Sequence, residues 1–187
     1  LARRAHLDGT PAGDGNAATS DAIFVFTGTA PAVAIGDAVS VAGRVAEFAS
    51  GAGLSVTEIE QTSVTVTSTG NPLPAAVLIG QGGLLPPTQT IDDDALTSFD
   101  IATDGIDFWE SLEGMRVTVD TPVVVSNTNE FGETDIVASL GVGATGVNAR
   151  GGITIAAGDF NPEKLQLDDR FGSLTGLFAA PRAEVAT

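Results

Sequence analysis

Apolar and polar residues alternate along much of the chain, and this period of two predicts β-strands. The first apolar run is Ala22–Phe26, and after a turn Gly36-Asp37 opens a long alternating strand that extends to Phe48. Gly43 lies inside that strand, where we expect a bend or bulge because glycine favours both. A short strand, a turn and a long bent strand, in this order, predict the start of a small OB-like barrel.

The barrel-like pattern continues to Ile79, and shorter apolar runs follow it. Strands are predicted at Leu54–Ile59, Ser63–Ser68, Met115–Val119, Val123–Val125, Thr134–Ala138, Ile153–Ile155, Lys164–Asp168 and Gly172–Phe178. One helix is predicted at Phe108–Glu113, with Asp107 as its N-cap and Gly114 as its C-terminal stop. The predicted fold class is all-β: an OB-like barrel with a partial second β unit and one short helix.

Loop-forming and acidic segments divide the predicted strands into domains. Residues 1–11 carry little β signal and are predicted to be irregular. Residues 12–140 are predicted to form the OB-like β domain, with an acidic insertion at residues 80–107. Residues 141–187 are predicted to form the partial second β unit and a tail. We expect the glycine-rich segment Gly80–Gly83 to be a linker, and both ends of the chain to be boundaries of a fragment.

Charge and composition restrict the classes of function. The chain has 24 acidic and 8 basic residues, a net charge of −16, and no basic residue between Arg44 and Arg116. Such a surface repels phosphate backbones and anionic lipid, so direct nucleic-acid binding is not expected. No apolar run approaches the roughly 20 residues of a membrane-spanning helix. An acidic β protein without cysteine is typical of secreted bacterial proteins, and we expect a secreted or cell-surface location.

Catalytic patterns are not found in the sequence. The single histidine, His6, lies in the irregular N-terminal segment, so no base is placed beside a nucleophile. A Gly-x-Ser-x-Gly elbow and a phosphate-binding loop followed by lysine are both missing. We therefore predict that this chain is not an enzyme.

Calcium is the cofactor that the acidic loops predict, because it prefers several hard oxygen ligands on flexible loops. Two sets of side chains fit this chemistry: Asp14, Asn16 and Asp21, and further along the chain Asp100, Asp104 and Asp107. Acidic residues in glycine-rich loops also act as solvated turn formers. The sequence leaves both interpretations open.

Several segments of the chain resemble one family. They are GDGNAATSDAIFVFTG, VAIGDAVSVAGRVAEF, ESLEGMRVTVDTPVVVSNTNEFGE and NARGGITIAAGDFNPEKLQLDD. In this order they resemble the OB-fold-containing region of secreted bacterial extracellular endonucleases of the ExeM/NucH type. The resemblance implies a region N-terminal to a metal-dependent endonuclease/exonuclease/phosphatase domain. The catalytic His, Asp and Asn motifs of that domain have no counterpart in this chain, so no catalytic residue is carried over.

Three functions follow as hypotheses. The resemblance favours a non-catalytic accessory or scaffold module of a secreted nuclease-type phosphodiester hydrolase, with a covalently linked catalytic domain as its partner. The alternative is a structural subunit of an extracellular surface layer or fibre. The segment ARRAHLDGT stands where the family has its first strand, and a barrel without that strand exposes an edge for an identical subunit. A third hypothesis is a carbohydrate- or polymer-binding module that uses Trp109 and the acidic loop.

Overall fold

The computed structural model describes residues 6–8, 14–49, 51 and 53–168. Its strands are β1 (His6–Asp8), β2 (Ala22–Val25), β3 (Ala38–Phe48), β4 (Val56–Ser68), β5 (Val77–Ile79), β6 (Val117–Val119), β7 (Val123–Val124), β8 (Thr134–Val137) and β9 (Leu165–Leu167). A short helix, α1, spans Gly105–Glu110, and a 3₁₀ turn spans Ser139–Gly141. The predicted all-β class is confirmed. The predicted strand at Gly172–Phe178 lies outside the described residues.

The chain divides into two compact units. The first consists of residues 1–76 and 112–116, and the second of residues 77–111 and 117–187. The sequence predicted a domain boundary near residue 140. In the structure, the second unit begins at residue 77. The physical reason is strand pairing, because β5 forms a parallel pair with β6 rather than joining the sheet that contains β4.

The first unit contains a four-stranded sheet in the order β1-β2-β4-β3. β3 and β4 form a long antiparallel hairpin, and β2 runs parallel to β4 on its other side. Among the described strands this order has two free ends, so the sheet is open where we predicted a barrel. β1 pairs with β2, so a strand is present in the segment predicted to be irregular. β4 also runs without a break through two predicted strands, Leu54–Ile59 and Ser63–Ser68.

The expected irregularity at Gly43 is confirmed. The register between β3 and β4 shifts between Ala42 and Arg44. A Cβ atom at Gly43 would lie 2.5 Å from Cγ2 of Ile59 and 2.6 Å from the carbonyl oxygen of Glu60. Only glycine therefore allows the two strands to approach each other at this bulge.

The second unit contains the parallel pair β5–β6 and an antiparallel sheet in the order β7-β8-β9. Its apolar core is small and consists of nearly inaccessible side chains: Ile79, Phe108, Val124, Val125, Ile136 and Val137. The predicted strand at Ile153–Ile155 is reduced to one bridge, between Val147 and Ile153. No helix in the described part of the chain is long and apolar enough to span a membrane.

The boundaries of the predicted helix were wrong. The helix α1 begins at Gly105 and ends at Glu110, and its N-cap is Asp104 rather than Asp107. The backbone N–H groups of Gly105 and Ile106 donate to the carbonyl oxygens of Thr90 and Ile91, both at 3.0 Å. These tertiary bonds satisfy donors at the start of a helix and explain the early beginning.

The glycine-rich segment Gly80–Gly83 is a turn that folds back on β5 rather than an extended linker. Gly80 N–H donates to the carbonyl oxygen of Leu84, and Leu84 N–H donates to that of Leu78. A Cβ atom at Gly83 would overlap the Leu78 carbonyl group, so the turn depends on the absence of a side chain there.

The bulge at Gly43 yields a stability prediction for the first unit. We expect Gly43→Ala to lower the free energy of unfolding by about 1–3 kcal/mol, because its methyl group has no room against β4. Denaturant unfolding measures this change. The control is Ala42→Val at the neighbouring exposed position, expected to change stability by about 0.5 kcal/mol or less. Equal stability of the two variants would contradict the packing at Gly43.

Candidate metal centre

Two backbone hydrogen bonds bring the acidic residues of the second unit together. Because Gly105 and Ile106 donate to Thr90 and Ile91, the aspartates that follow Ile91 lie beside the residue that precedes Gly105. That residue is Asp104, the N-cap of α1. Two segments that are separate in sequence therefore place carboxylates in one location.

The group consists of Asp92, Asp94 and Asp104, which we call the triad. Each residue offers one carboxylate oxygen, and these oxygens all lie within 4.8 Å of one another. Asp104 is only 2% exposed, whereas Asp92 and Asp94 are partly buried. The triad is the one such group of acidic, histidine or cysteine side chains among the residues that the structure describes.

The side chain of Asp104 does not cap the helix that it precedes. An aspartate at this position normally accepts a hydrogen bond from a backbone N–H in the first turn, but no such bond is formed. Its Oδ1 atom is buried and has no hydrogen-bond partner. An unpaired buried carboxylate oxygen is costly, so this atom requires a proton, a water molecule or a cation.

The electrostatic surroundings of Asp104 are negative. Burial raises the pKa of the Asp104 carboxyl group, and four neighbouring carboxylates raise it further: Asp93, Asp107, Asp92 and Asp94. Within the described residues the ion pairs are Arg44–Glu60 and Lys164–Asp135, and neither includes a member of the triad. The triad therefore concentrates negative charge that no lysine or arginine of this part of the chain neutralises.

A strained turn orients the other two members of the triad. Ala95 and Leu96 both adopt the left-handed backbone conformation, with φ of 59° and 60°. Oδ1 of Asp92 accepts the Leu96 N–H at 3.1 Å, and Oδ1 of Asp94 accepts the Thr97 N–H at 2.9 Å. Each of these bonds uses one of the two oxygens of its carboxylate. These two bonds restrain both carboxylates, and they also offset the cost of the left-handed conformations in the turn.

Only Asp104 of the second predicted calcium set belongs to the triad. Oδ2 of Asp107 accepts the Asp100 N–H at 2.6 Å, and Oδ1 of Asp100 accepts the Ala102 N–H at 2.9 Å. The Ala102 N–H and the Thr103 hydroxyl hold the pKa of Asp100 below its usual value. Asp100 and Asp107 thus shape the loop that leads into α1.

The side chains of the first predicted calcium set accept hydrogen bonds from residues of their own loop. The set consists of Asp14, Asn16 and Asp21. Asp14 accepts the Asn16 N–H and the Thr19 hydroxyl, both at 2.8 Å. Asp21 accepts the Asp14 N–H at 3.1 Å, and Asn16 accepts the Ala18 N–H at 3.1 Å. This is the pattern of a turn stabilised by its side chains, and calcium at this loop stays a prediction.

Asp92 and Asp94 were not among the calcium ligands predicted from the sequence. Three consecutive aspartates, Asp92–Asp94, directly follow an apolar residue in the acidic segment. That run of three aspartates was the feature of the sequence that could have indicated a cation site here. Its pairing with Asp104 depends on the backbone bonds of residues 90 and 91, which have no sequence pattern of their own.

Trp109, the residue of the third hypothesis, takes part in internal packing. Its ring meets that of Phe108 edge to face, with 4.9 Å between centroids. Its indole N–H donates to the carbonyl oxygen of Pro162 at 2.7 Å. The polar atom of the ring is therefore engaged within the second unit.

Comparison with known families places the triad inside a recognised domain. Residues 78–186 match a family described as a domain of unknown function, DUF8508. The chain belongs to this family. The matched segment contains all three aspartates of the triad. Neither the curated proteins nor the solved structures gave a match.

The Asp14 loop yields a pH prediction for the first unit. Hydrogen bonds from the Asn16 N–H and the Thr19 hydroxyl hold the pKa of Asp14 below its usual value. These bonds therefore stabilise the unit above the unfolded-state pKa of about 3.9, and the contribution is lost as pH falls through the folded-state pKa. We expect Thr19→Val to raise the pKa of Asp14 in a carboxyl NMR titration.

The control for this titration is Thr27→Val, which removes a hydroxyl that donates to the carbonyl oxygen of Thr29 rather than to a carboxylate. It is expected to leave the Asp14 titration unchanged. An Asp14 pKa that does not move in Thr19→Val would contradict the role of the hydroxyl.

Proposed function

We propose that the chain is a calcium-stabilised, non-catalytic β module of a secreted protein, with calcium bound at the triad. The observation that carries this proposal is the buried Oδ1 atom of Asp104. It has no hydrogen-bond partner, and its carboxylate lies close to those of Asp92 and Asp94. A divalent cation supplies both the missing partner and the missing positive charge.

The ligand chemistry favours calcium over other divalent cations. The triad offers only carboxylate oxygens, which suit hard cations, whereas zinc prefers nitrogen and sulfur ligands. Magnesium usually binds through one or two carboxylates and keeps several waters. Calcium accepts six to eight oxygens in variable geometry, so three carboxylates, loop carbonyls and water satisfy it. Extracellular modules bind it with dissociation constants of about 10⁻⁴–10⁻³ M.

A cation at the triad would stabilise the fold of the second unit. It would connect the turn at residues 92–97 with the start of α1, two segments otherwise joined by the bonds of residues 90 and 91. The chain has no cysteine, so no disulfide reinforces its small apolar core. Because the site forms only in the folded state, the binding free energy adds to the free energy of unfolding.

The resemblance to secreted nucleases supplies the setting for this proposal. In that setting the chain is an accessory or scaffold module that spaces or orients a linked metal-dependent catalytic domain. The net charge of −16 argues against direct binding of the nucleic-acid substrate by this module, because an acidic surface repels the phosphate backbone. The catalytic domain, rather than this module, would then contact the phosphodiester.

Thermal unfolding tests the calcium site. Adding about 10 mM calcium to the chelated protein is expected to raise the Tm by roughly 3–10 °C, given the affinity of extracellular modules. Asp104→Asn should lose the part of this shift that calcium at the triad produces, because the amide supplies one neutral oxygen in place of a carboxylate. In chelator the same variant should be at least as stable as the wild-type chain, because a buried charge in a negative environment is removed.

The control is Asp93→Asn, which removes a neighbouring exposed charge but leaves the triad complete. It is expected to keep most of the calcium-dependent shift. Equal shifts in the wild-type chain and Asp104→Asn, or no shift at all, would overturn the proposed site.

An observation on the first unit supports a second candidate function, a subunit of an extracellular fibre or surface layer. β3 is an end strand of its sheet and is 11 residues long, and no other described strand pairs with its outer edge. Val45 and Phe48 on β3 are 64% and 53% exposed. A long apolar edge strand favours addition of a strand from another chain.

Electron microscopy of the purified chain distinguishes the two functions. Ordered fibres or sheets that disappear when proline replaces Val45 would favour assembly through β3, because proline cannot donate a ladder hydrogen bond and is disfavoured within strands. A monodisperse monomer at high concentration would count against assembly.

A further inference from the structure

A second set of oxygen ligands lies in the loops around β9, apart from the triad. We call it the Glu163 pocket, and it consists of Thr145, Asp159, Asn161 and Glu163. Asn161 is 1% exposed and Glu163 is 4% exposed, so both side chains are buried. Nothing in the proposed function uses these residues.

The hydroxyl of Thr145 lies at the centre of the pocket. Its Oγ1 atom is 2.8 Å from the carbonyl oxygen of Thr88, 2.9 Å from Oδ1 of Asp159 and 3.1 Å from Oε1 of Glu163. A threonine hydroxyl donates a single proton, whereas all three of these oxygens are acceptors when the carboxyl groups are ionised. At least two of the short oxygen–oxygen contacts therefore lack a proton between them.

Two further oxygens in the pocket have no partner at all. Oε2 of Glu163 and Oδ1 of Asn161 are buried and accept no hydrogen bond. The amide of Asn161 faces the same pocket, because its Nδ2 atom lies 3.4 Å from Oδ1 of Asp159. Two unsatisfied acceptors thus belong to buried side chains that border the same group of oxygens, and a bound cation would supply the partner that each lacks.

Backbone geometry keeps the Asn161 amide in this position. Asn161 adopts a left-handed conformation with φ of 53°, and Gly146 does so with φ of 64°. A Cβ atom at Gly146 would overlap the Thr154 carbonyl oxygen and lie 3.1 Å from Oδ1 of Asn161. Glycine at 146 therefore allows the main chain to pack directly against the amide.

The described residues supply no cationic side chain to the pocket. Lys164, next in sequence to Glu163, pairs instead with Asp135 at 3.1 Å. Burial raises the pKa of Glu163, and the charge of Asp159 adds to this effect, whereas the Thr145 N–H bond opposes it. Oε1 of Glu163 accepts the Thr145 N–H at 2.7 Å and Oδ1 of Asp159 accepts the Asn161 N–H at 3.3 Å, so the unpaired acceptors are Oε2 of Glu163 and Oδ1 of Asn161.

We propose that the Glu163 pocket is a second calcium site, formed by Asp159, Asn161 and Glu163 together with the Thr145 hydroxyl and the Thr88 carbonyl. The set combines carboxylate, amide, hydroxyl and carbonyl oxygens, which is the mixture that calcium accepts. Neighbouring ligands around calcium at 2.3–2.6 Å lie roughly 3 Å apart, and the oxygens around Thr145 have this spacing. This site has no ligand in common with the triad.

Calorimetric titration of the full chain with calcium chloride tests the proposal. The wild-type chain is expected to bind two equivalents of calcium. Glu163→Gln keeps the shape of the side chain but removes its charge, and is expected to bind one equivalent. The control is Glu130→Gln, which removes an exposed acidic charge of the same unit and is expected to keep both equivalents.

The two variants distinguish the Glu163 pocket from the calcium site proposed at the triad. Asp104→Asn should lose the triad equivalent and retain the one at the Glu163 pocket. Loss of all binding in Asp104→Asn, or two equivalents in Glu163→Gln, would overturn the second site and leave a buried water or a proton in the pocket. If Asp104→Asn changes nothing while Glu163→Gln loses an equivalent, the triad proposal fails and this one stands.

A folding defect in Glu163→Gln would not remove the test. Circular dichroism in chelator identifies such a defect, and Asp159→Asn, at a partly buried and less central position, then takes its place. Asp159→Asn is also expected to lose one equivalent. If neither variant folds, the Asp104→Asn titration decides, because one remaining equivalent supports the pocket and none contradicts it.

Discussion

The burial of one carboxylate, that of Asp104, is the constraint on which the second unit depends. Backbone bonds from Gly105 and Ile106 to residues 90 and 91 close the acidic loop and start the helix α1. The same closure brings Asp92 and Asp94 next to Asp104 and leaves Oδ1 of Asp104 unpaired. The fold of this loop and the unpaired buried oxygen of Asp104 therefore have one origin.

The acidic loops of the chain divide into two kinds. In the Asp14 loop, backbone N–H groups and a threonine hydroxyl satisfy the carboxylates, and the pKa of Asp14 is lowered. At Asp104 and Glu163 the carboxyl groups are buried, short of donors, and have raised pKa values. Both kinds look alike in sequence, because glycine, asparagine and aspartate are abundant in each. The number of hydrogen-bond donors that the fold places around each carboxylate distinguishes the self-contained turn from the loops with unpaired buried oxygens.

Sequence patterns predicted the parts of the fold that depend on local rules. Alternation located β2, β3 and β8, and the glycine inside β3 indicated the bulge at Gly43. The start of α1 was misplaced because tertiary bonds, rather than the capping pattern at Asp107, decide where it begins. The barrel was overpredicted because alternation does not show which strands pair. Spacing alone grouped Asp104 with Asp100 and Asp107, whereas the loop closure groups it with Asp92 and Asp94.

The most direct measurement is a crystal structure of the chain grown with calcium, using long-wavelength anomalous scattering to locate the ion. We expect an anomalous peak at the triad, with Oδ1 of Asp104 at about 2.3–2.6 Å from it. A map in which Oδ1 of Asp104 is hydrogen-bonded to water or to a neighbouring carboxyl group, with no anomalous peak at the triad, would contradict it.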